Sequence, residues 1–337
     1  QVESIEVTLR LSCPSGKKMA LTAAASLASL VLVVGCGDTN PESDSVKAPS
    51  TAEFPSPAGK TIEQLASQAK PTEFNLAPAG KVFETGKSRF SFAVLDKSGN
   101  QVVDRQVALY LTRGPKDKVT GPYPAKVESL VTDPSFRAQT TSQDPSAAKA
   151  VYVSSDIDLP TYGNWFVLAF IKTPDGYEGA QLPTIKVTKK GSVVGVGDQA
   201  PSVNTPVPSD VGGDLSKIDT RIPADNMHEA DLADVLGKKP VVVLFSTPQL
   251  CESRVCGPVV DIQAQVAEET GDDVEFIHSE IFNDNDPNKG VRPPVKAFGL
   301  PTEPWVFAID KNGVVKERIE GAFGIEELRQ AVAKATT

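Results

Sequence analysis

The sequence predicts a multidomain chain, a β-sandwich followed by an α/β domain, on three observations. Residues 71–190 carry short alternating apolar runs separated by turn signals. Residues 214–337 instead alternate helical and strand periodicities. Between them, 191–213 is broken by Pro201, Pro206 and Pro208, residues that punctuate regular structure. A length of 337 residues leaves room for about two domains after N-terminal processing.

Residues 1–36 read as an upstream extension and an export signal. Lys17-Lys18-Met19 precedes an uncharged run, Ala20 to Val34, which is shorter than the ~20 apolar residues a spanning helix needs. Residues 1–18 are expected to precede the natural start, since Met19 opens a better signal. Val33-Val34-Gly35-Cys36 resembles the bacterial lipobox. That resemblance implies lipidation of Cys36, a membrane reached through a lipid anchor, and a location on the extracytoplasmic side. Residues 37–70 are rich in Pro, Ser, Ala and Thr, which predicts a flexible tether, with a weak helix over 61–70.

Within 71–190, strands are expected at 89–95, 101–112, 150–153, 164–171 and 181–187, with turns at 96–100 and 173–176. The stretch Tyr162-Gly163-Asn164-Trp165 resembles the late strands of immunoglobulin-like bacterial domains. This region has no Cys, His or Met, so it lacks the soft metal ligands.

Residues 191–213 are the linker, and the α/β pattern fills 214–337. A short helix is expected at 227–236, a central strand at 240–246, a helix from Cys256 to Thr270, strands at 274–282 and 305–309, and a hairpin through Gly313 to 314–319. A last helix covers 324–333, with Glu326 and Glu327 favourably placed in its first turn.

Cys251 and Cys256 stand just after the central strand. With Cys13 lost with the signal and Cys36 lipidated, they are the one pair left of four cysteines, in a compartment that permits disulfide chemistry. A disulfide closing four intervening residues removes little loop entropy, which favours redox or metal work over a structural clip. Positions i and i+5 of one regular helix lie about 8–9 Å apart, beyond the ~7 Å reach of a disulfide. Either Cys251 therefore precedes the helix, or the first turn unwinds on oxidation. Pro258 favours a helix beginning near Cys256, whereas strand-to-cysteine distance favours Cys251 as its opening residue. Arg254 lies between the thiols and is a candidate for polarising one of them.

The strand Val241-Val-Val-Leu-Phe245, the segment Pro304-Trp-Val-Phe-Ala-Ile-Asp310-Lys-Asn-Gly313 and the final helix together resemble the thioredoxin-like fold. The likeness is greatest to the membrane-anchored extracytoplasmic thiol–disulfide oxidoreductases of bacteria, of the TlpA and ResA kind. Gly197-Asp-Gln-Ala-Pro201 is similar to the opening of that class. The resemblance spans about 195–335 and implies a reversible Cys251–Cys256 disulfide, a cis-proline at Pro304 rather than Pro301, and substrate-backbone binding by Glu303 and Pro304. It implies protein thiols or disulfides as partners and no cofactor. The sequence departs from that family in its Cys-x4-Cys spacing and in Leu250, which stands where a Trp is usual.

Three rivals remain open. The Cys-x4-Cys spacing is also that of one-chain atypical peroxiredoxins, which need an arginine beside the thiolate; Arg292 is the nearest candidate. A Sco-like copper-delivery protein would use Cys251, Cys256 and His278, with His228 the one other histidine. The fourth reading is a non-catalytic module with a structural disulfide. A net charge of −9 without a Lys/Arg-rich block in the mature region argues against a nucleic-acid partner.

Overall fold

The structure is a computed structural model and describes residues 46–337, which fall within one compact unit. Cys13, Cys36 and the export signal lie outside the described residues. Among the described residues, no helix is long and apolar enough to cross a membrane.

The first lobe contains α1 (Ile62–Ala66), β1 (Lys70–Pro71), β2 (Asn75–Pro78), β3 (Phe83–Glu84), β4 (Gly86–Leu95) and β5 (Val107–Thr112). It continues through β6 (Thr120–Pro124), β7 (Lys126–Ser129), α2 (Gln139–Ser142), β8 (Ala150–Leu159), β9 (Gly163–Thr173) and β10 (Gly176–Thr188). One sheet runs β2-β4-β8-β7 and the other β1-β10-β9-β5-β6, with β3 also on β10. Phe90, Phe92 and Tyr152 from the first sheet meet Leu109, Leu111 and Val167 from the second in one core, so the two sheets form a sandwich.

All six residues of β5 are buried. Val107, Leu109 and Leu111 enter the sandwich core, while Ala108 and Tyr110 point outward with Leu168 and Phe170. That second apolar face needs a cover, and the segment expected to be a tether supplies it. Phe54 and Leu65 pack there, the Tyr110 hydroxyl donates to Pro55 O (2.7 Å), and the Tyr177 hydroxyl donates to Glu53 O (2.7 Å). The tether expectation is therefore corrected for residues 46–70: Phe54 and Leu65, with Ile62, Ala66 and Ala69 beside them, dock an otherwise polar stretch.

The second lobe contains α3 (Leu232–Val235), β11 (Val241–Phe245), α4 (Cys256–Thr270), β12 (Glu275–Ser279), α5 (Pro293–Ala297), β13 (Trp305–Ile309), β14 (Val315–Glu320) and α6 (Ile325–Thr336). Its sheet order is β12-β11-β13-β14, with β11 parallel to β12 and antiparallel to β13. β11 is wholly buried because both faces are covered. Val242 and Leu244 pack in the core that holds α4 and α6, while Val241, Val243 and Phe245 pack with Leu232, Val295 and Phe298.

The helix expected over 227–236 shortens to four residues. Met227 O is taken by His278 N (2.8 Å), so the chain runs beside β12 before Asp231 caps α3 through Ala233 N (3.0 Å). The 191–213 linker is built into the second lobe. Gly197 N and Ala200 N donate to Val315 O and Gly313 O, and Val315 N donates to Asp198 O.

Charged side chains tie the lobes. Arg89 on β4 donates to both carboxylate oxygens of Glu327 (2.7 and 2.9 Å), to Glu320 O (2.9 Å) and to Ala322 O (2.6 Å). The Glu320 carboxylate accepts from Lys81 N and Val82 N (both 2.9 Å). Arg318 pairs with Glu84 at 2.7 Å. The core behind α4 is also shared: Leu130, Ala148, Val151 and Val153 of the sandwich belong to the same cluster as Val242, Val259 and Leu328.

Candidate functional site

Cys251 and Cys256 form a disulfide with Cα atoms 6.0 Å apart. Cys256 is the first residue of α4 and Cys251 lies in the loop before it. Of the two registers compatible with the sequence, the chain adopts the one in which Cys256 opens the helix. Pro258 then sits in the first turn, where its missing N–H is not needed. The Cys256 sulfur is at the positive end of a 15-residue helix, which favours its thiolate when the bond opens.

The disulfide is enclosed. Cys251 is 4% exposed and Cys256 0%, in the core cluster that includes Met227, Val255 and Val259 as well as the sandwich residues Leu130 and Ala148. Segment 130–149, an excursion between β7 and β8, docks on the start of α4 at several points. Ala148 N donates to Arg254 O (3.0 Å), and Arg254 pairs with Asp144 at 3.4 Å. A Cβ on Gly257 would meet Thr141 Oγ1 at 2.9 Å. Both Asp261 oxygens accept from Ala138 N (3.2 Å each), and Oδ1 also accepts from Arg221 Nε (3.0 Å). Arg254, offered by the sequence as a polariser of the thiols, is instead paired with this segment. It adopts φ +59°, a region that non-glycine residues seldom occupy.

Acidic groups crowd the same neighbourhood. Burial pushes the Glu303 carboxyl above its ordinary value, and the charges of Glu280 and Glu252 push it further. Glu280 is also raised, by burial, against the opposing pull of His278 and its Thr220 hydrogen bonds. The Glu303–Pro304 peptide is cis, at the residue the resemblance assigned, and Pro304 O accepts from Gly321 N (2.8 Å). Because its folded pKa is raised, protonated Glu303 favours the fold. This contribution is full below the ordinary value of 4.5 and is lost as pH rises through the elevated folded value. Glu303→Gln should therefore raise the urea midpoint at neutral pH and leave it nearly unchanged at acid pH. An equal shift at both would contradict the assignment.

His278 does not join the cysteines. Its Nε2 meets Ser246 O at 3.2 Å and its Nδ1 meets Asp225 Oδ2 at 2.8 Å. Both ring nitrogens are engaged, so the set Cys251, Cys256 and His278 expected of a Sco-like site is corrected: His278 clusters with Asp219, Asp225 and His228. Arg292, the peroxidase candidate, donates to Lys217 O (2.9 Å) and Asn285 Oδ1 (3.1 Å). The aspartates were not singled out from sequence. Their signal is the spacing Asp219-x5-Asp225-x2-His228 in a loop just before the first helix of the lobe.

No protein-family model and no curated protein matches the chain. Among solved structures, it is similar to the crystal structure of the Lin-41 filamin domain at 11% identity and a TM-score of 0.20, covering 36% of this chain and all of that one. It is also similar to the solution structure of the PKD domain from the human VPS10 domain-containing receptor SorCS2, at 14% identity and a TM-score of 0.17, over 36% of this chain and 78% of that one.

Proposed function

We propose that the chain is a lipid-anchored extracytoplasmic thiol–disulfide oxidoreductase whose second lobe is thioredoxin-like. One observation carries this reading: a disulfide joins the loop after the central strand β11 to the first residue of α4. Cys36 supplies the membrane attachment, and protein dithiols or disulfides are the partners.

The chemistry follows from the unequal placement of the sulfurs. A client thiolate attacks Cys251 Sγ, the sulfur with residual exposure. The Cys251–Cys256 bond breaks, a bond from client sulfur to Cys251 forms, and Cys256 leaves as a thiolate stabilised at the helix N-terminus. A second client thiolate then attacks the client sulfur of the mixed disulfide, releasing Cys251. The client is oxidised by two electrons and the protein is left as the dithiol. The reverse sequence reduces a client disulfide.

The test is the reduction potential of the pair in the full chain, measured by equilibration with thiol–disulfide buffers alongside insulin reduction. A reversible couple in the glutathione range, with turnover, is expected. A potential below about −300 mV with no insulin reduction would mark an inert structural clip and sink the proposal.

A further inference from the structure

We propose that Asp219, Asp225, His228 and His278 bind one divalent first-row metal ion, zinc by preference, in a closed tetrahedral site of two nitrogens and two oxygens. The site is independent of the redox reading and uses neither cysteine.

The four side chains offer ligand atoms that all lie within 4.8 Å of one another, and all four residues are buried. Zinc bonds of 2.0–2.1 Å place the ligands of a tetrahedron about 3.3 Å apart. His228 Nε2 is 3.3 Å from Asp219 Oδ2 and 3.5 Å from Asp225 Oδ1. His278 Nδ1 is 3.8 Å from Asp219 Oδ1 and 2.8 Å from Asp225 Oδ2. These separations lie around the tetrahedral edge but use both oxygens of each aspartate, so each carboxylate would turn one oxygen to the ion; the shortest is a hydrogen bond that a cation would replace.

A second observation separates this cluster from an ordinary ionic network. His228 Nε2 is buried and close to two carboxylates, yet it makes a hydrogen bond to neither. A buried imidazole nitrogen without a partner is costly, and a cation among the four groups would supply one.

The surroundings orient the ligands as metal sites require. His278 Nε2 donates to Ser246 O (3.2 Å), which turns Nδ1 toward the cluster. Asp219 accepts from Arg221 N (2.7 Å) and Asp225 N (2.8 Å), and Asp225 accepts from Met227 N (2.9 Å). Backbone groups therefore fix both carboxylates. The nitrogen and carboxylate donor set, in a compact closed geometry, suits zinc better than a large oxygen-seeking cation.

The experiment uses the tag-free full chain with its disulfide intact, unfolded in chelator and refolded with or without zinc. One zinc per chain and a raised melting temperature are expected. Cobalt refolded in place of zinc should give the intense visible bands of a tetrahedral site, without a thiolate charge-transfer band. His228→Gln and Asp219→Asn should lose the metal and the melting shift. The double variant Cys251→Ser with Cys256→Ser should keep both. No stoichiometric zinc in the wild type, equal zinc in His228→Gln, or zinc that vanishes with the cysteines would each overturn the site. If the single variants do not fold, the wild-type cobalt spectrum decides alone: octahedral or thiolate-bearing bands refute the assignment.

Discussion

Asp261→Ala is expected to destabilise the protein by about 3–5 kcal/mol, because it strands a buried guanidinium. The Asp261 side chain is 1% exposed and that of its partner Arg221 9%. Removing the carboxylate also orphans Ala138 N, which has both Asp261 oxygens as acceptors. Arg221 remains bonded to Phe136 O (2.7 Å) and Pro223 O (2.8 Å) but loses its counter-charge. Asp261→Asn should fall between the two, since it keeps an acceptor and removes the charge. Urea unfolding monitored by circular dichroism reads the effect, and a loss below about 1 kcal/mol for the alanine variant would show that the pair is not the anchor described. The variant should also expose the disulfide to reductant sooner, because Ala138 belongs to the segment that docks on α4.

Cys251→Ser should abolish exchange and yield no covalent adduct, whereas Cys256→Ser should accumulate a mixed disulfide through Cys251. In the first variant the remaining Cys256 sulfur, fully buried in the oxidised protein, has no exposed partner to relay an attack. In the second the attacked sulfur survives but the resolving thiolate is gone, so the adduct waits for an outside thiol. Mass spectrometry of protein quenched during turnover locates the adduct. Trapping on Cys256, or equal trapping in both variants, would reverse the assigned roles. Exchange undiminished in both would refute the oxidoreductase reading outright.

The parts of the fold legible in the sequence were those whose pattern is local. The unbroken apolar run of β11, the helix from Cys256 to Thr270 and the strand 305–309 all form where their periodicity places them. Segment 113–149 was not legible, because its partners are remote: Ala138 meets Asp261 123 positions later. β6 and β7 are short, and β6 contains Gly121, Pro122 and Pro124, residues that read as turn rather than strand. The docked stretch before residue 70 looked like a tether because composition averages over its two anchors, Phe54 and Leu65. The cysteines stand out in the sequence, but their cover does not. The two histidines are conspicuous by their rarity, while the two aspartates that complete their cluster are hidden among 43 acidic residues.

The core shared between the lobes gives the disulfide a wider thermodynamic reach than its own loop. The disulfide belongs to a cluster that also holds Leu130 and Val151 of the sandwich. Whatever free energy the sandwich contributes to one redox state and not the other appears directly in the midpoint potential, at about 30 mV for each 1.4 kcal/mol of a two-electron couple. If the pair cycles as proposed, substitutions at sandwich residues of this cluster, such as Val151, should shift its midpoint potential.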